Sequence, residues 1–398
     1  MSNKKILFVS CFTTGRIIEM IRKESGENPG YAIQKFSRLI TTGFLKNNVS
    51  VDILSIIPVS FKTYKKIFWG AAKEKENDLS FFYVPFINLP IIRHICLTIS
   101  SFIMTFFWGI QDRKNKRLVC DALCRSGCIG SLLASKLIGL KSVGIVTDMP
   151  GMIIKRAKNE LLHRIIVATN LSYFKWFNSM VYMTQQASDR LNTGNKPYIV
   201  MEGSVDYNLS NITVVKTDIK TRNIIYAGAL HKRHGLELLV KAFTKLESKD
   251  LRLVLYGDGS FVEELDKYIK SDNRIVYKGV VENAIILKAE VDAYLLVNPR
   301  PSDQEFTLYS FPSKNLEYMV SGTAVATTKL PGITKEYYPY LYFLEDESVE
   351  GYYKSLTDIL NKPKEELEEM GKKSKQYILK NKNNIVQAKK ILDLAYKN

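Results

Sequence analysis

Short apolar runs alternate with amphipathic stretches along the first third of the chain. The runs KKILFVS at 4–10 and VSVDILSI at 49–56 have the length of buried strands. Between them, a polar loop around Gly26 to Gly30 leads into AIQKFSRLITTGFLKN at 32–47, whose apolar residues recur at helical spacing. This order predicts a strand–helix–strand unit, with Gly30 in the loop that precedes the helix.

A further helix and strand follow an irregular stretch from 61 to 117. The segment 126–140 predicts a helix, and SVGIVTD predicts a buried strand that ends at Asp148, before Met149 and Pro150 turn the chain. Asp148 is either a base or sugar-binding carboxylate at a strand end, or a cap of the turn that follows. The N-terminal half is therefore predicted to be α/β.

The second half repeats the alternation more regularly. Hydrophobic periodicity is lost from 207 to 222, and we place the domain boundary there. The runs NIIYAG, LRLVLYG, RIVYKG and AYLLVNP predict strands. GLELLVKAFTKL and SFVEELDKYI predict helices after the first and second of these strands, and a short helix is predicted between the third and the fourth. We predict an N-terminal domain at 1–206, a C-terminal domain at 207–380 and a terminal helix at 381–398 that packs back toward the first domain. Such alternation is typical of parallel sheets covered on both faces.

Length and charge narrow the function classes. The 398 residues suit two domains of roughly 200 each. The net charge of +17 calls for an acidic partner or surface, such as anionic lipid or a phosphorylated ligand. The basic residues are spread along the chain without a nucleic-acid-binding signature, so we expect no nucleic acid partner.

The cysteines indicate a reducing compartment. Their number is odd and their spacing gives no disulfide framework, for Cys11, Cys96, Cys120, Cys124 and Cys128. The last three recur at helical spacing and are interpreted as small buried residues on one helix face rather than as metal ligands, because no His or further Cys completes a ligand set.

Residues 95–110 form the longest uncharged stretch, ICLTISSFIMTFFWGI. A membrane-spanning helix needs about 20 residues, so spanning is not favoured. A uniformly apolar helix fits both a protein core and the surface of a bilayer, and the sequence leaves these two alternatives open.

Ligands of open parallel sheets bind beyond the carboxyl ends of the strands. Three C-terminal segments are candidates there: 226–235, 256–260 and 305–325. In the last of them Pro312 is predicted just inside a helix after a loop at Tyr309 to Phe311, so that the first turn offers backbone N–H groups to an anion. Glu317 lies one to two turns further on, roughly 7 to 8 Å along the axis, where a carboxylate could accept from ribose hydroxyls. An ordinary capped helix with a surface glutamate is the alternative.

The other two segments carry weaker signals. Lys232 and Arg233 could neutralise a diphosphate or form a solvated basic turn. Gly257 lies in a tight turn after a strand, where glycine lets a backbone approach a ligand or simply turn. No glycine stands at 262, so a dinucleotide fingerprint is incomplete.

Taken together, YAGALHKRHGLELLVKAF, LVLYGDGS, DAYLLVNPR and FPSKNLEYMVSGTAVATTKLPG resemble the C-terminal half of glycosyltransferase family 4. The resemblance covers 222–345 well and the first domain more loosely. It implies the GT-B fold, in which two Rossmann-like domains with parallel sheets face each other across a cleft. By the same resemblance, the donor site includes residues of the helix start and the strand ends: Ser310, Phe311, Pro312, Ser313, Lys314, Gly228, Gly257 and Gly279. Gly30 is assigned to the acceptor side.

The chain departs from the family pattern at two places. The second glutamate of the family's pair falls on Glu317, which would hold the ribose, but the first falls on Tyr309, and Glu305 is only a guessed substitute. The family's Arg and Lys after the first strand of this domain fall on Ala229 and His234, so Lys232 and Arg233 would take over their role. We therefore group Asp148, Glu305 and Tyr309 as catalytic candidates.

The departures resemble a branch of bacterial capsular and exopolysaccharide transferases. That resemblance implies a nucleotide-sugar donor, which we take as a UDP-sugar, a lipid-linked oligosaccharide acceptor, and a cytoplasmic protein peripheral on the inner face of the membrane, next to an anionic surface. No Asp and His cluster for a metal is visible, so we expect metal-independent transfer without a cofactor. The family resemblance implies retention of configuration. The alternatives are a sugar-nucleotide epimerase or hydrolase of the same fold, and a non-catalytic nucleotide- or membrane-binding protein.

Overall fold

The computed structural model describes residues 4–26, 30–150, 171–192, 194–211 and 221–397. It divides the chain into two compact units. Unit 1 comprises Met1–Ser204 and Asn384–Asn398, and unit 2 comprises Val205–Asn383. The predicted boundary after 206 lies two residues later than this division, and the predicted start of the terminal helix at 381 lies three residues before the return to unit 1.

Unit 1 is built on a mainly parallel sheet. Its strands are β1 Lys5–Ser10, β2 Ser50–Ser55, β3 Phe68–Trp69, β4 Ala72–Glu76, β5 Leu79–Tyr83, β6 Phe86–Ile87, β7 Lys116–Asp121, β8 Ser142–Val146, β9 Ser179–Tyr182 and β10 Tyr198–Val200. The main sheet has the order β10-β9-β8-β7-β1-β2-β5-β4, and β3 pairs with β6 separately. Only β4 runs antiparallel to its neighbour in the main sheet. The predicted strand–helix–strand units are confirmed.

The helices of unit 1 are α1 Gly15–Ser25, α2 Tyr31–Lys46, α3 Ile92–Gly109, α4 Arg125–Ile138 and α5 Gln185–Leu191. The terminal helix of the chain, Asn384–Lys397, also belongs to this unit and packs on α2. The two helices approach closely at Gly43, where an added Cβ would lie 2.2 Å from the Asn384 carbonyl oxygen. Glycine at this position therefore lets the terminal helix dock.

Unit 2 is a parallel sheet covered by helices. Its strands are β11 Arg222–Ala227, β12 Leu251–Tyr256, β13 Ile275–Gly279, β14 Leu295–Asn298, β15 Val325–Thr328 and β16 Tyr342–Leu344, in the order β13-β12-β11-β14-β15-β16. Its helices are α6 Leu236–Thr244, α7 Val262–Ser271, α8 Asn283–Asp292, α9 Glu305–Tyr309, α10 Ser313–Ser321, α11 Val349–Leu360 and α12 Lys364–Asn381. The terminal helix of unit 1 is α13.

Apolar side chains fill both faces of this sheet. On one face, α6 buries Leu236, Leu239, Val240 and Phe243, the helical spacing that the sequence shows. On the other face, α10 buries Leu316, Tyr318 and Met319 in a second cluster. The predicted doubly covered parallel sheet is confirmed.

Three local predictions need correction. Cys120 lies on β7 and Cys124 precedes α4, so the cysteines do not share one helix, although Cys120, Cys124 and Cys128 are all buried. Tyr309 ends the short helix α9 rather than lying in a loop. Pro312 is the N-cap of α10, one residue before the helix. The three cysteines are four residues apart, as on one side of a helix, but they belong in turn to a strand, a turn and a helix start. Spacing alone does not distinguish these two cases, which explains the first error.

Candidate functional site

The turns that follow the strands of unit 2 interlock at the carboxyl edge of its sheet. Gly228 N donates to Tyr256 O at 3.0 Å, and Gly257 N donates to Gly279 O at 2.8 Å. Gly257 has φ 121°, and an added Cβ would lie 1.9 Å from the Gly228 carbonyl oxygen. The three predicted glycines therefore lie together, and Gly257 is required for the close approach of two backbones.

A second close approach joins the turn after β11 to the loop after β14. Gly235 has φ 78°, and an added Cβ would lie 1.8 Å from Pro299 O. The short 3-10 turn at Lys232–His234 immediately precedes Gly235. The approach therefore brings that basic turn next to the residues that follow β14.

Arginine side chains from the turn after β11 and from the loop after β14 both lie over the ring of Phe306 on α9. The guanidinium carbons of Arg233 and Arg300 lie 5.9 and 5.2 Å from the centroid of its ring. The ring centroid of His234 lies 6.3 Å from that of Phe306. Arg300, two residues beyond β14, was not among the predicted site residues. Its position just past a strand end was the signal that could have found it.

His234 is held in one tautomer. Its Nδ1 lies 2.9 Å from the carbonyl oxygen of Ala229, an acceptor only, so Nδ1 carries the proton and donates. Burial lowers the pKa of His234, and the nearby charges of Arg300 and Arg233 act in the same direction. The ring is therefore neutral near pH 7, with Nε2 as a hydrogen-bond acceptor.

The ammonium group of Lys232 contacts two glutamates rather than the ring of Phe306. Its Nζ lies 2.7 Å from Glu264 Oε1 on α7 and 3.8 Å from Glu237 Oε2 on α6. The hydrogen bond to Glu264 raises the pKa of Lys232. The two predicted basic residues thus differ, because Lys232 joins two helices while Arg233 contacts the aromatic ring next to Arg300.

Two N–H groups at the start of α10 already have acceptors. Ser313 N donates to Phe311 O at 2.9 Å, and Asn315 N donates to Pro312 O at 2.8 Å. These two N–H groups are therefore not among those that the first turn could offer to an anion, and the anion site at this helix start stays a prediction. These short-range bonds, one spanning two residues and one spanning three, satisfy donors that would otherwise face a ligand.

Buried polar side chains of α10 fix this helix to the carboxyl ends of three strands. The Tyr318 hydroxyl accepts from Ala227 N at 2.8 Å, at the end of β11. Asn298, at the end of β14, donates through Nδ2 to Asn315 Oδ1 at 2.7 Å, and Asn315 Nδ2 donates to Thr327 of β15 at 3.2 Å. Because these groups are buried and paired, they hold the helix in one register.

Glu317 lies on this fixed helix and is accessible. Its Oε2 is 2.9 Å from Lys314 Nζ, and the two side chains are 31% and 33% exposed. An accessible carboxylate on a rigid helix can exchange its lysine contact for ligand hydroxyls at small cost, because exposed ion pairs contribute little. Phe311 is instead buried against Tyr337, with ring centroids 5.2 Å apart, so its role is packing.

The remaining C-terminal candidates lie on or next to α9. Glu305 begins the helix and is exposed, and Tyr309 ends it and is half-buried. The two are four residues apart and so share one side of the helix. Ser310 Oγ donates to Phe306 O at 2.8 Å, which ties the following loop to α9.

An open groove of about 520 Å³ lies beside the basic turn. Lys232 and Arg233 line one part of it, and acidic residues including Asp303 and Glu347 line another. Glu347 accepts from Ser302 N at 2.8 Å through Oε2 and so fixes the loop that leads to α9. The groove therefore joins the basic turn to the segment that bears Phe306.

The candidates of unit 1 have local structural roles. Asp148 is exposed two residues beyond β8, and its Oδ1 accepts from Met149 N at 3.0 Å, the geometry of the turn cap that the sequence left as an alternative. Gly30 is the N-cap of α2 with φ 55°.

Among the described residues, no group of three or more His, Cys, Asp and Glu side chains is arranged to hold a metal ion. Metal-independence stays a prediction.

Residues 221–362 match the family model described as "Glycosyl transferases group 1". No curated protein sequence matches the chain. The matched segment contains the interlocked turns, the Phe306 cluster and α10. The C-terminal unit is thus similar to the glycosyl transferases group 1 family over these residues.

Solved structures resemble the whole chain at low identity. Sucrose-phosphate synthase from Thermosynechococcus elongatus is 12% identical with a TM-score of 0.67, covering 99% of this chain and 98% of its own. HepE from Anabaena in complex with UDP is 12% identical with a TM-score of 0.61, covering 99% of this chain and 100% of its own. The lipopolysaccharide outer core galactosyltransferase WaaB is 12% identical with a TM-score of 0.61, covering 99% of both chains. The fold is GT-B, and with the matched domain it supports a glycosyltransferase.

Proposed function

We propose that the protein transfers a sugar from a UDP-sugar to a lipid-linked saccharide acceptor in the synthesis of a cell-surface polysaccharide. The observation that carries this proposal is the arrangement at the carboxyl edge of the unit 2 sheet. There Arg233 and Arg300 converge on Phe306, within the segment that matches the glycosyltransferase family model. Paired guanidinium groups suit a diphosphate, because each can donate two hydrogen bonds to phosphate oxygens.

Glu317 would hold the ribose of the donor. It is accessible, and α10 is fixed in place by Tyr318 and Asn315. A carboxylate accepts from both ribose hydroxyls, so the role needs a rigid support and a releasable partner. The Lys314 contact meets the second need.

Charge developing on the departing diphosphate would be stabilised by Arg233 and Arg300, and no divalent ion or cofactor is required for that step. The neutral imidazole of His234 adds an acceptor, Nε2, for a donor hydroxyl. Retention of configuration belongs to the proposal on the strength of the family resemblance. Tyr309 occupies the place where the family has a glutamate, so Glu305, on the same side of α9, is proposed to contact the transferred sugar.

Net charge and the names of relatives support the proposed acceptor and location. WaaB, by its name, acts on the outer core of a lipopolysaccharide, and HepE binds UDP. A net charge of +17 favours an anionic membrane surface. We place the protein on the cytoplasmic face of the membrane.

Binding of UDP, measured by calorimetry with and without EDTA, tests the donor half of the proposal. We expect Arg300→Gln to weaken binding about tenfold or more, as loss of a charge-assisted hydrogen-bond pair predicts. Arg252→Gln is the matched control, because Arg252 lies at the amino end of β12, at the opposite edge of the sheet. Equal affinity of all three proteins, or no binding of UDP by any, would refute the donor site.

A further inference from the structure

The helix α3 buries small and polar side chains and exposes large apolar ones. Its buried residues are Leu97, Ser101, Thr105 and Gly109, so small and polar side chains occupy most of its inner side. Its outer side carries large apolar residues that are 43% to 74% exposed: Ile91, Ile92, Ile95, Ile99, Ile103, Phe107 and Ile110, where Ile91 and Ile110 are the flanking caps. A soluble helix shows the opposite distribution.

The inner side fits closely against α4. An added Cβ at Gly130 would lie 2.1 Å from Thr98 O, and Thr105 Oγ1 donates to Ser131 Oγ at 2.8 Å. Small residues and hydroxyl contacts at a helix pair let two backbones approach each other. The apolar outer side of α3 is therefore fixed outward and cannot rotate into the core.

The apolar surface extends beyond α3. Leu133 and Leu137 on α4 are 42% and 68% exposed. At the start of α3, β6 contacts the helix and pairs with β3, where Phe68 is 71% exposed. We call this set, with the outer residues of α3, the isoleucine face. Many exposed apolar side chains on elements that contact one another indicate an interaction surface.

The segments that carry the isoleucine face are basic in sequence. The segments 61–69, 88–117 and 125–141 contain one acidic residue, Asp112. Their basic residues are Lys62, Lys65, Lys66, Arg93, Arg113, Lys114, Lys116, Arg117, Arg125, Lys136 and Lys141. Apolar residues bordered by Lys and Arg are the pattern of a surface that inserts among anionic lipid headgroups.

We propose that the isoleucine face docks on an anionic lipid bilayer, with α3 lying in the plane of the interface. By length and composition, α3 is the one helix among the described residues that could cross a membrane, with 22% of it buried. The side of α3 with Thr98, Thr105 and Gly109 packs on α4 and on Leu140, which follows α4. The helix therefore enters the bilayer on its outer side only. A second copy of the chain fits this face poorly, because a symmetric contact would bring two basic borders together. This inference deepens the proposed function by naming the surface that meets the membrane.

Flotation of the full chain with phosphatidylcholine vesicles, with and without phosphatidylglycerol, tests the proposal. We expect binding to the anionic vesicles that weakens with added salt. Phe107→Asp and, separately, Ile95→Asp should each reduce the partition coefficient about tenfold or more, because each puts a charge in place of an inserted apolar side chain. Val280→Asp is the matched control, since Val280 is 76% exposed in unit 2 and lies outside the isoleucine face.

Several outcomes would overturn the proposal. They are absence of vesicle binding, an equal loss in the Val280 variant, or a dimer in lipid-free solution that Phe107→Asp dissociates. Thermal unfolding of each variant shows that the fold is kept. UDP affinity measured on the same proteins separates the two proposals, because α3 variants should keep it while Arg300→Gln should lose it without losing vesicle binding.

Discussion

The hydroxyl of Tyr318 lies 2.8 Å from the backbone nitrogen of Ala227 and 3.3 Å from its carbonyl oxygen. Tyr318 is fully buried on α10, and Ala227 is the last residue of β11. The Tyr318 side chain thus accepts a hydrogen bond from the backbone N–H at the end of a central strand. The same contact sets the position of the helix that bears Glu317.

Tyr318→Phe should therefore lower both stability and donor affinity. Loss of the hydroxyl leaves the buried Ala227 N–H without this acceptor, which costs about 1 to 3 kcal/mol. Urea unfolding measures the cost, and UDP binding measures the effect on α10. Tyr353→Phe is the control, because Tyr353 is only partly buried against the core of the other sheet face. A Tyr318 variant as stable as the control would contradict the role of this contact.

Gly257→Ala tests the interlocked turns. The new Cβ would lie 1.9 Å from Gly228 O at a φ of 121°, so the turn must move, and we expect a loss of about 3 kcal/mol or more in unfolding free energy.

Gly279→Ala is the matched control for this change. Gly279 also has a positive φ, 67°, but the nearest atom to an added Cβ is Tyr277 Oη at 4.0 Å. Its cost should stay near 1 to 2 kcal/mol, from backbone conformation alone. Equal losses in the two variants would show that contact between the turns contributes nothing.

Substitutions of Lys232 and Arg233, the two basic residues of the turn after β11, should differ in their effect on UDP affinity. Lys232→Gln removes exposed ion pairs to Glu264 and Glu237, so both the unfolding free energy and the UDP affinity should change little. Arg233→Gln should weaken UDP binding about tenfold or more. Titration calorimetry of both variants checks this, and the reverse order of affinities would transfer the diphosphate role to Lys232.

Asp121 makes stability in unit 1 depend on pH. Burial raises the pKa of Asp121 from 3.8 to about 6, and its Oδ1 accepts from Leu123 N at 3.1 Å. The folded state holds the proton more tightly than the unfolded state, so this contribution is present below about pH 4 and is lost as pH rises to about 6.

Asp121→Asn removes this dependence and keeps the acceptor oxygen. The difference in unfolding free energy between variant and wild type should rise by roughly 3 kcal/mol from about pH 4 to pH 7, as a shift of about two pKa units implies. Chemical unfolding at a series of pH values gives this difference. If the difference stays constant, the carboxyl is not protonated in the folded state.

The sheets and most helices could be predicted because their apolar spacing follows burial directly. In α6, Leu236, Leu239, Val240 and Phe243 are both the apolar pattern and the buried face. The donor cluster could be predicted only in part. Arg233 meets Phe306 through the contact of Gly235 with Pro299, two positions far apart in the chain, and no local pattern reports such an approach.

The orientation of α3 was also open at the level of sequence. Its stretch is apolar on all sides, but Ser101, Thr105 and Gly109 recur every four residues and mark the inner side. The spacing of these small residues predicts which side of α3 is buried, whereas the overall hydropathy of the stretch does not.

Release of UDP from a panel of UDP-sugars, in the presence of bacterial membrane extract, tests the central claim most directly. The account predicts release from one donor that depends on the extract and is lost in Glu317→Ala but kept in Glu305→Gln at a reduced rate. Release without extract would indicate a hydrolase of the same fold, and conversion of the donor into an epimeric UDP-sugar without release of UDP would indicate an epimerase. No release from any donor, with no binding of UDP, would contradict a transferase.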